Sequence, residues 1–90
     1  MTLPLGKIYA SIRAIAAFAE ALGEEPDTFL SRHANGDWGV ANEHDRQTNE
    51  YAVEHGLRVL SAYKLRNGQK LWIITEADRS STTILLPEEY

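Results

Sequence analysis

Ninety residues make one domain, 1–90, with a core thin enough that a partner or a second copy would add to its stability. The absence of cysteine excludes a disulfide framework, a thiolate metal site and a cysteine nucleophile, and a net charge of −4 argues against nucleic acid as a partner, since nonspecific binding draws on clustered Lys and Arg. No apolar run approaches the ~20 residues of a membrane span, and the start Met1-Thr2-Leu3-Pro4 lacks the pattern of a signal peptide, so the expectation is a cytoplasmic protein.

Lys7-Ile8-Tyr9-Ala10 has the composition of a short strand. Ser11 suits an N-cap, Ile12, Ile15, Ala16, Ala19 and Leu22 recur at helical spacing, and Gly23 suits a C-terminal stop. This predicts a first helix over 12–22 that packs its alanine-rich stripe against a sheet or another helix. Pro26 opens a second helix over 26–34, with Phe29 and Leu30 as its apolar contacts and His33 on the same side. Asn35-Gly36-Asp37-Trp38-Gly39 reads as a loop. Asn42 and Asp45 cap a third helix over 43–55, which Gly56 ends. Residues 42–50 hold no apolar side chain, so Tyr51, Ala52 and Val53 must anchor this helix while its first half meets solvent or a partner.

Residues 57–65 are rich in strand formers, and Asn67-Gly68 is a hairpin signal because a type I′ turn needs positive φ at both positions. A two-residue turn there sets Tyr63 opposite Trp72, Ser61 opposite Ile74 and Val59 opposite Glu76. One face then carries Val59, Tyr63, Trp72 and Ile74, the other Leu60, Ala62, Leu71 and Ile73. Both are apolar. Helices cover one, and the other needs the N-terminal segment, a partner or a dimer mate. A turn near Asp78-Arg79-Ser80-Ser81 leads to a last strand over 82–86, stopped by Pro87. The fold class is therefore α+β: two or three N-terminal helices packed on a three- to four-stranded antiparallel sheet that ends in a β-meander.

Two segments hold the candidate binding residues. Arg58, Glu76, Asp78, Arg79, Ser80, Thr82 and Thr83 gather more charge and hydroxyl groups than a turn requires, and a positioned arginine with hydroxyls suits a phosphate or carboxylate. The bland reading is a solvated turn with Asp78 capping amides and Arg79 paired to Glu76. The second segment holds His33, Asp37 and Trp38. Histidine suits acid–base work and tryptophan suits a binding anchor, yet in a thin core Trp38 serves equally as a plug, with His33 capping a helix end. His44 and His55 stand eleven residues apart, roughly 16 Å along a helix, so no metal site is expected, and no phosphate loop or dinucleotide fingerprint implies a cofactor.

Pro4-Leu5-Gly6, Gly36-Asp37-Trp38-Gly39, Asn49, Gly56-Leu57-Arg58, Ser61-Ala62-Tyr63, the run from Leu71 to Ser80, Thr82-Thr83 and Leu85 to Tyr90 resemble a family of small proteins carried on plasmids, phages and integron gene cassettes. Val40-Ala41 departs from that pattern, where an acidic residue would follow the Trp-Gly pair. The family is known by its setting and has no settled activity, so the resemblance implies a mobile genetic element and no chemistry. The expectation is a non-catalytic accessory protein that binds a macromolecule, forms a homodimer, and suits a basic protein partner. Two alternatives stand beside it. One is a RelE-like toxin ribonuclease, with Arg58, Lys64 and Arg79 as cations and His33 or Glu76 as base. The other is a small-molecule module built on Trp38 and Trp72.

Overall fold

The computed structural model describes residues 2–90. It contains β1 (Lys7–Ala10), α1 (Ile12–Glu20), α2 (Pro26–Ala34), α3 (Glu43–His55), β2 (Val59–Lys64), β3 (Lys70–Thr75), β4 (Ser81–Leu85) and a closing 3₁₀ turn (Pro87–Glu89). The sheet order is β1-β4-β3-β2. The β2-β3-β4 meander is antiparallel as expected, and β1 joins it parallel to β4, so the sheet is mixed. Among the described residues, no helix is long and apolar enough to cross a membrane.

The N-caps of α1 and α3 and the end of α3 follow the sequence reading, while α1 stops at Glu20 with Ala21 as its C-cap, short of the expected end at residue 22. Ser11 accepts from the Ala14 amide, Asn42 accepts from the Asp45 amide, and Gly56 ends α3 with φ +66. The buried side of α1 is different from the one expected. Ala14, Ala17, Phe18 and Ala21 face the sheet, while Ile12, Ile15 and Leu22 are 86, 58 and 82% exposed. The cause is space. Phe18 packs on Phe29 (centroids 5.8 Å apart), Phe29 on Tyr63 (5.3 Å), and the sheet below presents Leu71, Ile73 and Ile84. A layer that already holds three aromatic rings leaves room for alanines between them, and not for a second row of isoleucines.

The hairpin register also differs by one residue. Tyr63 lies opposite Leu71, Ser61 opposite Ile73 and Val59 opposite Thr75. Only Gly68 in this turn has positive φ (+88), and Leu65 hydrogen-bonds Gln69. Asn67 stays out of the left-handed region, so the loop has three residues: a type I turn and a left-handed glycine, rather than the two-residue type I′ form. The one-residue change exchanges faces along one strand relative to the other. The helix-covered face therefore carries Val59, Ser61, Tyr63, Leu71, Ile73 and Thr75, and the opposite face carries Leu60, Ala62, Trp72 and Ile74.

The free edge of β2 is sealed by its own chain. The Val40 amide donates to the Ala62 carbonyl (2.7 Å) and the Ala62 amide to the Trp38 carbonyl (3.2 Å). One turn along, Asn49 does the work of a strand residue: its amide donates to the Leu60 carbonyl (2.7 Å) and its oxygen accepts from the Leu60 amide (3.1 Å). Asn49 and Ala52 are the buried residues of α3, whereas Tyr51 is exposed and stacks on His55 at 3.8 Å. α3 is thus anchored by the Asn49 amide together with Ala52 and the partly buried Val53, two of the three apolar residues that the sequence singled out, while Tyr51 stays outside. The seal depends on Gly39, whose φ is +72 and where a Cβ would overlap the Ala62 carbonyl and the Tyr63 ring. Gly56 also has positive φ but opens on empty space. Gly56→Ala should cost about 1–2 kcal/mol in a denaturant titration, the strain of the left-handed backbone alone, and Gly39→Ala clearly more, because two sterically fixed neighbours must also move.

Candidate functional site

His33, at the end of α2, is fully buried and its ring joins four other groups. Nδ1 meets the Ser61 hydroxyl of β2, and Nε2 lies 2.8 Å from the Thr75 hydroxyl of β3. Thr75 is 2.7 Å from the Thr82 hydroxyl of β4, which donates to the Leu5 carbonyl at 2.7 Å. The direction of each bond follows from the last one. A carbonyl only accepts, so Thr82 donates to Leu5 and its oxygen accepts from Thr75. Thr75 has then used its only proton and accepts from Nε2–H. Nδ1 is left bare and accepts from Ser61. The imidazole is neutral, with its proton on Nε2.

This chain holds together the N-terminal segment, α2, β2, β3 and β4. It also engages both ring nitrogens of His33 inside the core. Burial, with the Arg79 cation as a second cause, pushes its pKa down to about 4. The unfolded chain binds a proton here below its ordinary value of 6.5, while the folded protein refuses it until about 4. The folded state is therefore fully favoured above pH 6.5 and loses stability as the pH falls toward 4. The contribution should amount to about 3 kcal/mol at the low end of that window. Urea titrations between pH 7 and 4 should show this slope for the wild type, and His33→Gln, whose amide can still donate and accept, should flatten it.

Trp38 is a plug, 2% exposed, with its edge against the His33 ring at 5.9 Å and its indole N–H donating to Glu50 at 2.9 Å. Asp37 pairs with Arg32 at 2.6 Å, which holds its carboxyl below the usual range, and accepts from the Gly39 amide. The Arg32 guanidinium also lies 4.8 Å from the centre of the Tyr63 ring, and Tyr63 donates to the Asp37 carbonyl at 2.6 Å. Asp37 and Trp38 thus close the loop between α2 and α3.

The corner expected around residues 75–83 divides into three places. Thr82 turns inward to the His33 chain, Thr83 is on the opposite face of the sheet, and Ser80 is exposed. Ser80, through its hydroxyl first and then through its amide at 3.0 Å, holds the Asp78 carboxyl below the usual range. Arg79 sits in the left-handed region (φ 62) and spreads its guanidinium over three carbonyls: Leu57 at 2.6 Å, Ala52 at 3.1 Å and Glu76 at 3.2 Å. It closes the C-terminal end of α3 onto the β3–β4 turn. Glu76 pairs with Arg58 at 3.2 Å, not with Arg79 through its carboxylate, and Arg58 also donates to the Tyr90 hydroxyl at 2.8 Å. Charged hydrogen bonds of this kind are worth about 1.5–3 kcal/mol, so Arg79→Ala should destabilise the protein by about 2 kcal/mol in thermal or urea unfolding. A loss within the ~0.5 kcal/mol of an ordinary surface change would mean that the guanidinium is free.

The structure does assemble one open cleft, on the sheet face away from α1 and α2. Ala41, Asp45, Thr48 and Asn49 form one wall, Arg58, Leu60, Ala62 and Trp72 the floor and the other, and the space holds about 350 Å³. Tyr90 stands edge-on to Trp72 at 5.6 Å and extends the aromatic wall. Of the residues in the two candidate segments only Arg58 lines it. Trp72 and the start of α3 were visible in the sequence, as an aromatic on one apolar face of the hairpin and a polar helix, but their meeting depends on the hairpin register. A smaller hollow of about 210 Å³ lies beside Trp38, lined by Leu3, Asn35, Gly36, Glu50 and Val53 among others. Trp38 and Trp72 thus line different cavities. Comparison with protein-family models, curated proteins and solved structures finds no match for this chain.

Proposed function

We propose that this protein is a non-catalytic binding module, and that the cleft between α3 and the β2–β3 face takes a lysine- or arginine-bearing segment of a protein partner. The observation behind this is how the polar groups are used. His33, Thr82 and Arg79 are engaged in holding the fold, whereas Trp72 and Asp45 converge on an open space. An aromatic wall beside a carboxylate suits a cationic side chain, whose apolar stem lies along the ring while its head meets the acid. Arg58 does not oppose this strongly, because Glu76 pairs with it. The net charge of −4 favours approach of a basic partner. In this reading the chain is an accessory protein of a mobile genetic element, in keeping with the family that it resembles, and works in the cytoplasm as a homodimer.

The ribonuclease alternative has less support. Arg58, Glu76 and Arg79 meet at one end of the sheet, but Lys64 ends β2 at the hairpin and His33 lies inside the core, so the full set of its named groups does not converge.

Titration of ¹⁵N-labelled protein with a short lysine- and arginine-rich peptide should shift the amides of Thr48, Leu60 and Ala62 and the Trp72 indole. An acidic peptide of equal length should not, and Asp45→Lys should abolish the response. A basic peptide that leaves these signals unmoved overturns the assignment, and cleavage of RNA by the purified protein would replace it with the ribonuclease.

A further inference from the structure

The outer side of α1 bears an apolar stripe that nothing among the described residues covers. Ile12, Ile15, Ala16 and Ala19 lie on one side of α1, Leu22 follows in the turn just past its end, and the three large ones are among the most exposed apolar side chains of the described residues. Isolated exposed leucines need no explanation, but a contiguous helical stripe of this kind marks an interface. Its position is a consequence of the core. The sheet takes the alanine and Phe18 side of α1, and the isoleucines are left outward.

We infer that this stripe is the seam of a homodimer in which two copies of α1 pack antiparallel about a two-fold axis. Three features select a second copy as the occupant. The first is charge. Arg13 and Glu20 stand seven residues apart, within about 20° on the same flank of the stripe, and both are exposed. In an antiparallel pair each Arg13 faces the other copy's Glu20, twice over. The second is shape. Within one residue of that register Ile15 comes to the partner's Ala19, so the large side chain of the helix centre enters the space over a small one, while Ile12 meets the turn that holds the partner's Leu22. Ala16 and Ala19 let the axes approach within the usual 8–10 Å. The third is symmetry. A patch whose large and small groups and opposite charges exchange places under a two-fold rotation is complementary to itself, which is what an isologous contact requires. Arg13 is available for this role. Its one ion pair within the chain, with Glu88, is 3.5 Å long and exposed on both sides, the kind of surface pair worth little. The seam is smaller than the about 800 Å² per partner of a standard interface, so the association belongs in the micromolar range.

This inference specifies the surface for the self-association proposed above and does not involve the cleft. Sedimentation equilibrium of the full chain across the micromolar range tests it. The wild type should form dimers. Ile15→Glu should be monomeric with an unchanged circular dichroism spectrum, because Ile15 contributes nothing to the core. Arg13→Glu should weaken the dimer severalfold, and Arg13→Glu combined with Glu20→Arg should restore it, a rescue that only the antiparallel helix pair predicts. A wild type that stays monomeric throughout overturns both the homodimer and the seam. A wild-type dimer that survives Ile15→Glu, or that dissociates on Ile8→Lys at the β1 edge instead, overturns the seam and leaves self-association standing through another surface.

Discussion

The Leu5 carbonyl cannot donate, and with the imidazole neutral that fixes the direction of every hydrogen bond from Thr82 through Thr75 and His33 to Ser61. Five polar groups are buried at once, and each has its partner only if all the others are in place. Leaving one such group unpaired costs about 1–3 kcal/mol. The network therefore does little to add stability and much to specify it. The N-terminal segment must lie against β4, α2 must end over β2 and β3, and the meander must keep its register. A slip that turned Ser61 or Thr75 to the other face would leave the imidazole alone among Trp38 and the aliphatic core.

The same rule of completeness governs the surface. Arg79 caps the end of α3, Asn49 and the Trp38–Val40 segment satisfy the β2 edge, and Arg46 donates to the Gly39 and Ala41 carbonyls that lead into α3. These residues are polar because backbone groups around them lack regular partners. A thin core of 90 residues cannot bury its connections, so side chains stand in for missing ladder and helix bonds. Two apolar surfaces stand outside these bonds, the Trp72 face and the α1 stripe.

Local signals were legible in the sequence and long-range ones were not. Ser11, Asn42 and Gly56 mark helix ends through chemistry contained within a turn or two, and they stand where their residue types suggested. The hairpin was legible as a hairpin. Its register was not, because Asn-Gly serves both a two-residue and a three-residue loop, and the choice rests on which strand face the helices must cover. The two stripes of α1 have the same period, and only the aromatic layer formed by Phe29 and Tyr63 decides between them. The excess of polar residues between 75 and 83 is real, but it divides among a buried chain, a helix cap and a surface pair. Alternation along a strand sends Thr82 and Thr83 to opposite sides, so neighbours in sequence were never candidates for a shared site.

The two borders of the sheet are unlike. Beyond β2 the backbone groups are taken by Asn49 and the 38–40 segment, while β1 pairs on one side only, and all four of its residues are exposed. A ribbon that can be extended from one border and not from the other cannot add subunits without end. If two chains were to join border to border through β1, the composite sheet would present a sealed rim at each end. Strand addition would stop at a pair, so the fold carries a built-in terminator against fibril growth.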